Sequence, residues 1–453
     1  MSRVTDMTKG SPAKLMLGFA VPVVITNLGQ QLYQIVDAAI VGRGVGVDAL
    51  AAVGCTDWTY WMILWSVSVM AAGFATFVSR YFGSREYEKM NRSIVTMSVL
   101  TAVIALVLTV LGLSLTGPVL QFLGTPGDIL ADAVVYLSTM IAGTVVVAFY
   151  NLTASILRAF GDSRSPLAAM IVAAVLNILL DLLFVMLFRW GVFGAAFASV
   201  LSQLTALVYC IIKIGKIEYV QIDREAFKWD WGMAWEIFRF GVPLALQYII
   251  INCSGMILQS TINTQGSDFI AGYTAVNKLY GLLECSAIAL GNAFTTFVSQ
   301  NYGAGDFRRV RRGINVSAVL AVGAAVMLIA ITLPLNGILP RLFIDLTEPG
   351  APEAVAVASH YLVNMILSLP ILYLVYVHRS ALQGTGDSKW SLLSGILEAL
   401  VRIAAAKVLF SLWGEGILFW SEPLSWLAAW VFVLVPYLFY QRKHLPVRKE
   451  ACQ

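Results

Sequence analysis

Asn177 and Asp181 are the two polar side chains in AAVLNILLDLLFVM, residues 173–186. Four residues separate them, so a helix sets them one turn apart on one face. A carboxylate with an amide beside it can hold a proton or a small cation. Two more groups raise the same question. Asp37 lies inside QLYQIVDAAIVG (31–42), and Ser199 lies inside GAAFASVL (194–201). What these four groups do depends on the elements that carry them.

Composition decides the class of those elements. Of 453 residues, 59% are hydrophobic and only 12% are charged, and mean hydropathy is +0.79. Soluble domains carry about a quarter charged residues. The run SIVTMSVLTAVIALVLTVLGLSLTG (93–117) has no charge at all. It exceeds the roughly 20 residues needed to cross a bilayer. The apolar runs do not alternate as barrel strands do, so helices are left as the spanning structure. The chain is expected to be an all-α polytopic membrane protein. Its twelve transmembrane helices are expected at about 15–40, 58–79, 93–116, 134–157, 165–188, 191–213, 235–264, 270–299, 313–335, 356–382, 389–412 and 419–441.

The same composition excludes other classes. A net charge of +4 calls for no nucleic-acid partner. Five scattered cysteines and three histidines form no metal spacing. No GxxxxGK[ST] loop is present for a nucleotide. The polar start MSRVTDMTKGSPAK lacks a signal-peptide pattern, so the first span is expected to insert itself. No nucleophile, metal set or acid–base set for an enzyme stands out.

Lys and Arg give the orientation. One alternate set of loops holds 23 of the 30, including Arg80, Arg85, Lys89 and Arg92, and the four arginines at 308, 309, 311 and 312. The opposite loops hold Arg43, Arg189 and Arg341. The rich set faces the cytoplasm, which puts both termini inside a multi-pass protein of the inner (plasma) membrane.

The chain also repeats itself. FATFVSRYFG (from Phe74) matches FTTFVSQNYG (from Phe294), LRAFGDSR (157–164) matches LQGTGDSK (382–389), and GFAVP (18–22) matches RFGVP (239–243). Three matches in one order, at offsets of 220, 225 and 221, mark a duplicated half. Six spans per half keep both halves in one orientation, a parallel repeat. The expected division is an N-terminal lobe at 1–213, a cytoplasmic linker at 214–234, a C-terminal lobe at 235–441 and a cytoplasmic tail at 442–453. Two such lobes with a cleft between them suit alternating access. The GDSR and GDSK loops are expected to be helix-end turns.

These features resemble the Multidrug And Toxic compound Extrusion (MATE) family over nearly the whole chain. The block QLYQIVDAAIVGRGVGVDALAAVG (31–54) is the most specific element. Within the family the chain looks closest to the MepA-like bacterial branch. The resemblance implies a MATE fold and antiport without ATP. It implies export of small amphipathic, often cationic organic compounds, coupled to H⁺ or Na⁺, with no cofactor. The protein is expected to work as a monomer among membrane lipids.

Depth supports a cation-coupling cluster. At 1.5 Å per residue, Asp37 lies about 35 Å along the first span, Asp181 about 24 Å along the fifth, and Ser199 about 12 Å in from the outer end of the sixth. Asp37, Asn177, Asp181 and Ser199 match the family's N-lobe cation site. Intramembrane carboxylates usually mark an ion or proton path. Two close carboxylates cannot both ionise cheaply, so the pair can take up a proton and release it. With amide and hydroxyl oxygens they can instead cage Na⁺, an extension of the oxygen sites known for harder cations. The bland alternatives are that Asp181 is helix–helix glue, Asp37 a water-facing helix end and Ser199 ordinary packing. The resemblance also makes Pro22 a hinge in the first span, with a static kink as the alternative.

The second half departs from the first. At offset 225 the counterparts of Asn177 and Asp181 are Arg402 and Ala406, so the cation pair is not duplicated. Glu398 and Arg402, one turn apart, are expected to form a structural charge pair. Glu284 is expected either to hold a cationic substrate, as the resemblance suggests, or to pair with Lys278 or Arg402. Met62, Trp65 and Tyr280 are aromatic and apolar candidates for the substrate wall, with lipid-facing packing as the alternative for each. A flippase for lipid-linked precursors, or a metabolite exporter of the same superfamily, is the alternative function. Its anionic cargo would call for more cations than the spans contain.

Overall fold

The apolar runs fold as helices. A computed structural model describes residues 4–344 and 346–444. Arg3 and the tail from 445 onward, with Arg448, Lys449 and Cys452, lie outside the described residues.

Fourteen helices follow in order: α1 Pro12–Gly44, α2 Val47–Ser84, α3 Tyr87–Phe122, α4 Leu130–Ala142, α5 Thr144–Ala159, α6 Arg164–Asp181, α7 Gly191–Ile214, α8 Trp231–Ile262, α9 Ser267–Gly303, α10 Phe307–Thr332, α11 Ala351–Gly384, α12 Lys389–Ala404, α13 Phe410–Trp413 and α14 Ser421–His444. Among the described residues ten stretches are long and apolar enough to cross a membrane, and α4 with α5, bent by 45°, makes an eleventh. The remaining expected span, 389–412, is helical but falls short as one continuous apolar helix. It carries Glu398, Arg402 and Lys407, and a π-turn at Ala405–Leu409 splits it.

The bend between α4 and α5 falls at Gly143. A Cβ there would run into Val200 of α7, so the missing side chain lets α7 pack against the bend. The two GDS loops are helix-starting turns, as expected. Gly161 and Gly386 take positive φ of 75° and 93°, the region glycine enters without steric penalty. Asp162 Oδ1 then accepts from the amides of Arg164 and Ser165 at 3.0 and 2.9 Å, and Asp387 Oδ1 from that of Lys389 at 3.1 Å.

The chain forms two compact units. The first takes residues up to Asp6 and Val21–Ala245; the second takes Met7–Ala20 and everything from Leu246 on. The units do not follow a cut at a linker. Residues 214–230 stay with the first unit because Ile217 is buried there, Tyr219 stacks on Tyr87 at 4.8 Å, and Asn91 donates to the Tyr219 carbonyl. The first half of α8 stays too, with Phe240 against Phe77 and Leu244 against Gly73. The start of α1 goes with the second unit. The segment leading into it goes too: the Met7 amide donates to Gln300 Oε1 at 2.8 Å, and the Met7 carbonyl accepts from Asn301 and Arg309. The unit boundaries therefore fall inside α1 and α8, two residues or fewer from the repeat prolines Pro22 and Pro243.

Candidate functional site

In the first unit, α1, α6 and α7 bring the four expected groups together. Asn177 and Asp181 are fully buried on α6, and Ser199 on α7 is nearly so. Asp37 on α1 is half-buried, and its carboxyl lies close enough to that of Asp181 for the two to interact electrostatically. Two carboxyls near one another cannot both ionise cheaply. Asn177, with its amide nitrogen turned to α6's own end, donates to Asp181 Oδ2 at 2.8 Å and accepts from the Ser199 amide at 3.3 Å. The Ser199 hydroxyl lies 3.3 Å from the Asn177 amide and 3.2 Å from the Tyr33 hydroxyl. A continuous hydrogen-bonded chain thus runs Tyr33, Ser199, Asn177, Asp181, with Asp37 beside its end.

Local structure explains Asp181. It is the last residue of α6 before a π-turn, Leu182–Leu187. Such turns widen the backbone and often mark functional positions. Beside the cluster lies a cavity of about 160 Å³ walled by Asp37, Ser199, Tyr60, Trp61, Tyr136 and Gln203, among others. Its lining residues include Asp57 and no Lys or Arg. Among the described residues no three His, Cys, Asp or Glu side chains converge as a metal site. A cation here would rely on amide and hydroxyl oxygens beside the carboxyls.

Tyr33, Asp57 and Gln203 are polar residues of the site that sequence reasoning does not single out. Tyr33 stands one turn before Asp37, a spacing that could have identified it. Asp57 falls just outside the expected span at 58–79, but α2 begins at Val47 and carries it to the cavity. Gln203 stands one turn after Ser199.

The expected hinge, Pro22, is buried inside α1, and Thr26 Oγ1 donates to its carbonyl at 2.8 Å. Met62 and Trp65 are half-buried on α2, but the cavity takes their neighbours Trp61 and Leu64 instead. Spacing by one residue turns a side chain 100° around a helix.

In the second unit, Glu284 pairs with neither Lys278 nor Arg402. Tyr376 donates to its Oε1 at 3.0 Å, and Tyr280 stands one turn before it on α9. Tyr280 stacks on Trp426 at 5.6 Å. Lys278 is exposed and makes no ion pair among the described residues. The Glu398–Arg402 pair forms at 3.2 Å, within a longer chain than expected. Arg379 of α11 bonds Glu398 at 2.7 Å, and Arg402 bonds Glu422 of α14 at 2.5 Å. Two cations and two carboxylates cancel in a buried setting, where an unpaired charge is strongly destabilising.

The whole chain can be set beside known proteins. The sequence model of the MatE family matches residues 22–183 and 243–408. The chain is 28% identical over 409 residues, 90% of each protein, to a probable multidrug resistance protein of Bacillus subtilis, YpnP. It is 23% identical over 436 residues to the multidrug export protein MepA of Staphylococcus aureus, covering 95% of this chain and 94% of MepA. Among solved structures it matches a MATE crystal structure in the bent conformation with a TM-score of 0.89 and 21% identity, over 98% of this chain and 100% of that one. That last likeness is one of fold. The matched blocks cover most of the chain, one in each half, and the chain belongs to the MatE family of multidrug efflux transporters, which are membrane carriers and not enzymes.

Proposed function

We propose that the protein is an antiporter that exports small amphipathic, often cationic organic compounds and is driven by protons entering through Asp37 and Asp181. The observation that carries this reading is the meeting of the Asp37 and Asp181 carboxyls beside a cavity whose lining holds no Lys or Arg, since two close carboxyls cannot both ionise cheaply. A pair that holds one proton in the membrane can take it from one side and release it to the other. The names of the relatives, a probable multidrug resistance protein and a multidrug export protein, support the choice of cargo.

Sodium is the second reading. Asp37 Oδ1 and Asp181 Oδ1 are both buried without a hydrogen-bond partner, and Asn177 and Ser199 supply further oxygens. Glu284, framed by Tyr280 and Tyr376, supplies the negative charge and aromatic surface that suit a cationic substrate. Pro22 is the hinge of α1 in this account. The carrier works as a single chain in the plasma membrane with both termini in the cytoplasm, as the Lys and Arg distribution supports.

Asp37→Asn and Asp181→Asn test the reading. Each variant accumulates normally and loses coupled export. Full export by either removes the site from the mechanism.

A further inference from the structure

The second unit retains a copy of the cation cluster, and we propose that Arg402 is its resident cation, tethered by its own side chain where the first unit exchanges a mobile one. This rests on the reading of the Asp37–Asp181 cluster as a cation site.

Separate repeat anchors set three groups of one cluster against three of the other. The GFAVP and RFGVP pair sets Tyr33 against Ser254, at offset 221. The GDSR and GDSK pair sets Asn177 against Arg402, at offset 225. Both α6 and α12 run into a π-turn, at Leu182 and Ala405. In both halves a glycine of positive φ then leads into the last helix, Gly191 at 61° and Gly414 at 69°. Aligning those glycines sets Ser199 against Glu422, at offset 223.

The bonded partners correspond as well. In the first unit Ser199 touches both Asn177 and Tyr33. In the second, Arg402 bonds Glu422 at 2.5 Å and Ser254 Oγ at 2.7 Å, and it also reaches the Ile251 carbonyl at 3.0 Å and Glu398 at 3.2 Å. The carboxylates have moved. Asp37 and Asp181 align with Leu258 and Ala406, while Glu398 and Glu422 supply negative charge from α12 and α14. What remains is a buried cage of two carboxylates, a hydroxyl and a carbonyl closed around one guanidinium. Arg379 balances the second charge from α11. A guanidinium is always charged and fits carboxylates in a fixed fork, so it does not release with a proton. The second unit therefore has no exchangeable cation at this position, and removing the tether leaves a site for a small organic cation of guanidinium type.

The test is thermal melting of the purified full-length protein with ethylguanidinium or its neutral analogue ethylurea, each up to about 10 mM. Arg402→Gln melts below the wild type, and ethylguanidinium raises its midpoint by about 3 °C or more while ethylurea does not. The wild type and Arg402→Lys, whose sites stay filled, do not respond. The proposal is overturned if Arg402→Gln melts with the wild type, if both additives act alike, or if Arg402→Lys responds as Arg402→Gln does. Should Arg402→Gln fail to accumulate, the double variant with Glu422→Gln decides. Recovery of folded protein supports a cation held by Glu422, and equal failure overturns it. Melting is read without transport, so the result stands apart from whether Asp37 and Asp181 carry the coupling ion.

Discussion

Asn177 and Asp181 stand one turn apart on α6, and the amide of the first reaches the carboxyl of the second at 2.8 Å. The same amide accepts from the Ser199 amide, so Asn177 fixes Asp181 to α7. A side chain that orients a buried carboxyl acts on the chemistry without exchanging the proton itself.

Asn177→Ala therefore removes a hydrogen bond to an ionisable group, worth about 1.5–3 kcal/mol. Coupled export falls roughly 10- to 100-fold, while the amount of folded protein in the membrane is unchanged. Vesicle efflux normalised to protein level checks this, and wild-type rates would show that Asp181 is held by other groups.

Glu284→Gln keeps the shape of the side chain and its contact with Tyr376 but removes its capacity for negative charge. Efflux of cationic dyes drops more than that of neutral amphiphiles, by several-fold. Equal loss for both classes, measured with matched dyes, would assign Glu284 to structure alone.

Glu398→Gln leaves Arg379 and Arg402 with one carboxylate, Glu422, between them. Breaking a buried pair from one side costs about 3–5 kcal/mol. The variant melts well below the wild type, and Arg379→Gln in the same chain restores part of the loss by rebalancing charge. A melting midpoint unchanged in Glu398→Gln would show the chain of ion pairs to be weak.

Gly161→Ala places a Cβ at φ 75° and against the Thr5 carbonyl. The left-handed conformation alone costs about 1–2 kcal/mol. The variant melts lower and its N-terminal residues are cleaved faster by protease, without change in ion selectivity. Unaltered melting and proteolysis would mean that the turn relaxes around the added methyl.

Much of this was legible in the sequence because it is local or repeated. The spacing of Asn177 and Asp181, the GDS turns and the Glu398–Arg402 pair all lie within one element, and the duplicated motifs aligned the halves. The family match, too, rested on contiguous blocks. What stayed hidden comes from tertiary packing. Arg379 and Glu422 reach Glu398 and Arg402 from other helices. Asp57 became a cavity residue because α2 starts eleven residues earlier than its apolar run does. The π-turn after Asp181 has no signature in an unbroken apolar stretch, and the same is true of its twin at Ala405–Leu409. The sharing of α1 and α8 between units follows from side-chain contacts such as those of Met7 and Phe240, which hydropathy does not register.

The central claim is that Asp37 and Asp181 together carry the coupling ion. Reconstituted wild type and Asp181→Asn, given a cationic dye under an imposed pH gradient and separately under an imposed Na⁺ gradient, test it most directly. The account predicts that the pH gradient drives uphill dye movement in the wild type, that the Na⁺ gradient alone does not, and that Asp181→Asn shows neither while still binding the dye. Uphill transport by Asp181→Asn equal to the wild type would contradict it.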